Sequence, residues 1–77
     1  MPDAANILDL RGLKCPLPAL MTRRHLARLA PGVQITVLAD DPLSVVDIPH
    51  MCSEESHAVI AVNKQDRHHV FEIRRAL

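Results

Sequence analysis

The sequence predicts an α/β fold, a two-layer sandwich in the order β-α-β-α-β-β with two helices packed on one face of a mixed four-stranded sheet. Three observations predict it. Residues 33–39 alternate, with Val33, Ile35, Val37 and Ala39 on one side and Gln34 and Thr36 on the other, the pattern of a half-buried strand. Residues 17–30 space their apolar groups at helical period instead, Ala19, Thr22, Leu26 and Leu29 forming one face flanked by Ala30. Pro and Gly punctuate these segments, which marks one domain over residues 1–77.

The elements follow in order. Residues 7–10 read as a short strand with Leu8 and Leu10 buried. Cys15-Pro16-Leu17-Pro18 opens a helix running to about Ala30, because first-turn N–H groups lack an intrahelical partner and tolerate proline. Pro31-Gly32 ends it. After the second strand, Asp41 is placed as N-cap and Pro42 at the first helical position. Pro49 should break that region into a turn reaching Asp47 and a helix over residues 48–55. Residues 58–62 and 70–73 are the last two strands, around a polar turn at 63–68.

Composition excludes several classes of function. A chain of 77 residues hides only about 60% of its unfolded surface and has room for one small core. Nine Lys plus Arg balance nine Asp plus Glu, and one Phe is the sole aromatic ring among Phe, Tyr and Trp. A polybasic or base-stacking nucleic-acid binder needs the opposite on both counts. Cys15 and Cys52 are too few to staple a secreted mini-protein. The start, Met1-Pro2-Asp3-Ala4-Ala5-Asn6, lacks the basic and apolar regions of a leader, and the apolar runs are far too short to span a membrane. The expectation is a cytoplasmic protein with reduced thiols.

Chemistry concentrates at Cys15. At a helix start, beside Arg11 and Lys14, its sulfur is expected to face the free N–H groups of Leu17 and Ala19 and to favour the thiolate. Asp40 and Asp41 oppose this if the first two strands are parallel, since their carboxyl ends then share an edge. An inert helix-start cysteine is the bland alternative. Cys52, beside Met51, reads as a packed core thiol. The far side of the first helix carries Leu17, Leu20, Met21, Arg24 and Arg28, an apolar and basic face suited to docking a partner if it is exposed. The five histidines, His25, His50, His57, His68 and His69, fall into no zinc-like spacing with the cysteines and read as solvated surface groups. There is neither a Cys-x-x-Cys pair nor a Gly-rich phosphate loop, so no metal or cofactor is expected.

The segment Leu10-Arg11-Gly12-Leu13-Lys14-Cys15-Pro16-Leu17-Pro18 resembles the TusA/SirA-like family of small sulfur carriers, marked by Cys-Pro-x-Pro. Asp40-Asp41-Pro42, followed by Asp47-Ile48-Pro49 and Cys52, resembles a second segment of that family, and the likeness spans residues 7–75. The resemblance implies a sulfurtransferase that takes a sulfane sulfur on Cys15 as a persulfide and relays it to a partner. Arg11, Gly12, Lys14, Pro16 and Pro18 would support that thiol, and the face from Leu17 to Arg28 would meet the partners in turn.

The implied partners are a sulfur donor, such as a cysteine desulfurase or rhodanese-like protein, and a downstream acceptor protein. The implied destinations are 2-thiouridine of tRNA, sulfur oxidation, molybdenum cofactor supply or selenium metabolism. A monomer without stable nucleic-acid or membrane binding fits this role. Leu17 departs from the tRNA-thiolation branch, where an acidic residue is usual, and enlarges the apolar patch. Two other classes stay open: a regulatory binding module in which Cys15 is structural, and a nucleic-acid-contacting domain, because the family's fold looks similar to a domain of a translation initiation factor.

Overall fold

A computed structural model describes residues 6–77, and the reading of residues 1–5 as no leader lies outside them. The chain runs β1 (Ile7–Asp9), α1 (Leu17–Ala27), β2 (Gln34–Ala39), α2 (Ser44–Glu54), β3 (Ala58–Lys64) and β4 (His69–Arg74). The sheet order is β1-β2-β4-β3. β1 pairs β2 in parallel, and β4 lies antiparallel to both β2 and β3. This is the expected mixed sheet. A parallel crossover needs a helix, which α1 supplies, while the tight turn after β3 returns β4 antiparallel into the middle.

Alternation selects the buried face. Ile35, Val37 and Ala39 of β2 and Phe71 and Ile73 of β4 are buried. Their register pairs Ile35 with Ile73 and Val37 with Phe71, so large side chains stack across the strand pair. Leu26 of α1 and Ile48, Met51 and Cys52 of α2 close the core from the other layer, together with Leu10. Burying each large apolar side chain contributes about 1.5–3 kcal/mol. Thr22 is also fully buried, and its hydroxyl donates to the Pro18 carbonyl at 2.8 Å, so no polar group is stranded there.

Element boundaries depart from the sequence reading in several places. α1 ends at Ala27 rather than Ala30, because Arg28 and Leu29 donate three residues back, to His25 and Leu26, and the residue before Pro31 is steered away from helix. Ala30 is exposed instead of flanking the core. Val33 falls outside β2, although its carbonyl still accepts from Arg75 N–H at 2.9 Å. Leu10 lies just past β1 but keeps the ladder through its N–H to the Leu38 carbonyl at 2.8 Å.

The largest departure is α2, which runs unbroken through Pro49. Proline inside a helix costs about 3 kcal/mol, but breaking α2 there would expose Ile48, Met51 and Cys52, and their burial outweighs it. Asp41 and Pro42 stand in the turn before α2, not in its first positions. The last two strands are longer than expected, and the turn shortens to residues 65–68, closed by Gln65 N–H to the His68 carbonyl at 2.8 Å. A bulge between Val59 and Ala61 leaves Ile60 exposed.

Candidate functional site

Parallel pairing of β1 and β2 brings the loop after each strand to one edge of the sheet, and that edge builds the site. Gly12, at φ 93°, turns the first loop in the left-handed region that favours glycine, and its N–H donates to Asp40 Oδ1 at 2.9 Å. Leu13 packs against the core and anchors the loop from below. Asp41 is buried, and its Oδ2 accepts the Cys15 N–H at 2.6 Å. The two acidic residues thus act first as acceptors for the backbone of the cysteine loop.

Cys15 precedes Pro16, the N-cap of α1, through a cis peptide bond. It is exposed, whereas Cys52 is buried. The Cys15 thiol donates to Oδ2 of Asp47, on α2, at 2.9 Å. That contact overturns the expected thiolate. Asp47 pushes the Cys15 pKa up, first through this hydrogen bond, with desolvation and then the charges of Asp47 and Asp41 adding to it. Arg11, one of the two supposed counter-charges, is directed elsewhere. Arg11 donates to both carboxylate oxygens of Asp9, at 2.9 and 2.8 Å, and holds that carboxyl at a pKa of about 2. Leu17 N–H, expected to face the sulfur, donates to the Lys14 carbonyl at 2.8 Å. Lys14 itself is exposed.

A cleft of about 380 Å³ opens between the two helices, lined by Cys15, Pro16, Ala19, Leu20 and Arg23 on one side and Asp47, His50, Met51 and Glu54 on the other. Leu17, Leu20 and Met21 are 44%, 45% and 37% exposed, as the docking face requires, and Arg24 and Arg28 are exposed with them. That face divides, however. Leu20 belongs to the Cys15 cleft, while Met21, Arg24 and Arg28 line a second hollow of about 260 Å³ with Leu8 and His25. Sequence reasoning missed the exposed Leu43, Val45 and Val46 around the start of α2.

Asp47 is the other residue missed as a partner of the thiol. Its segment was noted, but nothing in the spacing of residues 32 positions apart announces contact between them. The histidines also differ from the solvated reading. Only His50 is exposed; His25 Nε2 is buried without a partner among the described residues, and His57 Nδ1 accepts the Ala76 N–H at 2.9 Å. Pro18, assigned to support the thiol, is buried on the core side, while Pro16 lines the cleft.

A family model described as Sulfurtransferase TusA matches residues 6–75, nearly the whole chain and both loops of this edge. The chain belongs to the TusA sulfurtransferase family. It is 33% identical over 70 residues to the sulfur carrier protein TusA of Buchnera aphidicola subsp. Baizongia pistaciae (strain Bp), covering 91% of this chain and 89% of that protein. The crystal structure of a SirA-like protein from Desulfitobacterium hafniense is similar in fold, with a TM-score of 0.79 at 24% identity over 92% of this chain and 97% of that one. Membership in the TusA family carries a role in sulfur transfer, and with it the need for a sulfur donor and a sulfur acceptor. Among the described residues, no helix is long and apolar enough to cross a membrane.

Proposed function

We propose that this chain is a sulfur carrier whose Cys15 takes a sulfane sulfur from a donor protein as a persulfide and hands it to an acceptor protein. One observation carries the choice of residue: of the two free thiols, Cys15 is exposed beside an open cleft and Cys52 is sealed in the core. Only a thiolate, or a thiol losing its proton as it attacks, can displace a donor sulfur, so the acceptor must be reachable from outside. The open cleft and the exposed apolar residues of α1 suit a surface that meets donor and acceptor in turn through short-lived complexes. A cysteine desulfurase or a rhodanese-like protein fits the donor role, and tRNA 2-thiolation or another sulfur-trafficking pathway is the destination.

Intact mass after incubation with a cysteine desulfurase and cysteine, or with another sulfane-sulfur donor, tests this. Wild type and Cys52→Ser should each gain about one sulfur atom, released by reductant, and Cys15→Ser should gain none. Loading that persists in Cys15→Ser would overturn the assignment. Function retained by that variant without any loading would favour the binding-module reading.

A further inference from the structure

Asp47 stands directly on the atom that must react. It lies in the first turn of α2, and its Oδ2 receives the Cys15 thiol hydrogen at 2.9 Å inside the open cleft between the helices. Three of the other charged groups nearby have partners of their own. Asp41 holds the Cys15 N–H at 2.6 Å and faces Leu43 N–H at 3.4 Å with its second oxygen. Arg11 is paired with Asp9, and Arg23 lies 3.6 Å from Glu55. A group within hydrogen-bond reach of the proton it removes meets the first geometric requirement of a general base.

We propose, on the carrier reading above, that Asp47 is a catalytic residue of sulfur transfer, taking the Cys15 proton during attack and delivering it to the donor thiolate that departs. Cys15 Sγ forms a bond to the outer sulfur of the donor persulfide as the donor's own S–S bond breaks. The thiol proton passes to Asp47 Oδ2 and then to the leaving sulfur. Cys15–SH and donor–S–SH become Cys15–S–SH and donor–SH, with no net oxidation and no further reactant. The same hydrogen bond keeps the resting thiol protonated, which limits stray reaction with other electrophiles until a persulfide enters the cleft.

The titratable and charged groups facing Cys15 are Asp47, His50 and Glu54 from α2, Asp41 from the loop before it, Arg23 from α1, and Lys14 beside it in the chain. The test compares wild type, Asp47→Asn and Asp47→Glu at a series of pH values, with thermal melting of each to verify folding. Asp47 is only half-buried, and changes at such positions are well tolerated. Sulfur loading from cysteine persulfide is followed by intact mass, and alkylation by iodoacetamide, whose departing iodide takes no proton, is run in parallel.

Asp47→Asn should load about tenfold or more slowly at neutral pH, less than the usual general-base effect of about 10²–10⁴-fold because its thiol ionises more readily. It should alkylate faster than wild type, and the loading deficit should shrink once the pH passes the thiol pKa. Asp47→Glu, which keeps a carboxylate, should recover much of the loading rate. Loading by Asp47→Asn that equals or exceeds wild type would overturn the proposal and leave Asp47 a purely electrostatic brake. No sulfur on wild-type Cys15 from this donor or from a desulfurase would instead overturn the carrier reading itself, and this proposal with it.

Discussion

Asp41 and Cys15, 26 positions apart, are joined by a hydrogen bond of 2.6 Å from the Cys15 N–H to Oδ2 of a buried carboxylate. The bond ties the loop after β1 to the loop after β2 and so sets where the thiol stands relative to α2. Its acceptor carries a charge and lies away from water, which makes it one of the stronger contacts of the molecule.

Removing that acceptor should loosen the cysteine loop. Asp41→Ala is expected to cost about 1.5–3 kcal/mol, the range for hydrogen bonds to charged groups, while Asp41→Asn keeps an acceptor and should cost less. Urea unfolding of the two variants beside wild type measures this. Equal midpoints for Asp41→Ala and wild type would show that the bond contributes nothing net.

Stability should fall in alkali because of Cys52. Burial pushes its thiol up to a pKa of about 11 from an ordinary 9.0. A group whose folded pKa is raised contributes stability that is complete below the unfolded value and is lost as pH climbs to the folded one. The loss should therefore develop between about pH 9 and pH 11, and Cys15, also raised, acts in the same direction. Cys52→Ala removes the larger titration, so its unfolding midpoint should start lower, because of the cavity left, and fall less steeply over that window. Denaturant midpoints collected across the window would check it, a slope identical to wild type being the contrary result.

The exposed face of α1 should matter for protein donors and not for small ones. Leu20 is 45% exposed and lines the Cys15 cleft, so Leu20→Glu should change stability by no more than about 0.5 kcal/mol. Sulfur uptake from a cysteine desulfurase should drop several-fold, whereas uptake from cysteine persulfide should stay near wild type. Unchanged uptake from both would remove Leu20 from the docking surface.

Ser56 marks a place where the fold can be improved. It sits at φ 65°, just past α2, where its N–H reaches the Ser53 carbonyl at 3.3 Å and the His57 N–H reaches the Cys52 carbonyl at 2.8 Å. These are the paired bonds of a Schellman ending, whose left-handed residue is usually glycine. A side chain there costs about 1 kcal/mol, so Ser56→Gly should raise the melting temperature by roughly 4–8 °C for a domain of this size. A melting temperature at or below that of wild type would contradict this account.

Much of the fold was legible because burial on one side leaves a periodic mark. Ile35, Val37 and Ala39 alternate, and Thr22 and Leu26 recur one helical turn apart; each of these residues is buried. Helix ends were less legible, since Arg28 and Leu29 leave α1 through local hydrogen bonds that Ala30 and Pro31 do not encode by themselves. Pro49 misled for a different reason. Its local preference is to break a helix, and it was overruled by packing contributed from other parts of the chain.

By itself the sequence determined the order of elements, the buried faces of β2 and α1, and a cysteine placed at a helix start, because these depend on neighbours a few residues apart. The tertiary structure alone decided the state of that cysteine. Arg11 and Lys14, adjacent in the chain, promised a thiolate, yet Arg11 turned to Asp9, and Asp47 and Asp41, 32 and 26 positions away, met the thiol and the N–H of Cys15. Charges act through distance in space, and only the packing of α2 against α1 and the parallel pairing of β1 with β2 set those distances.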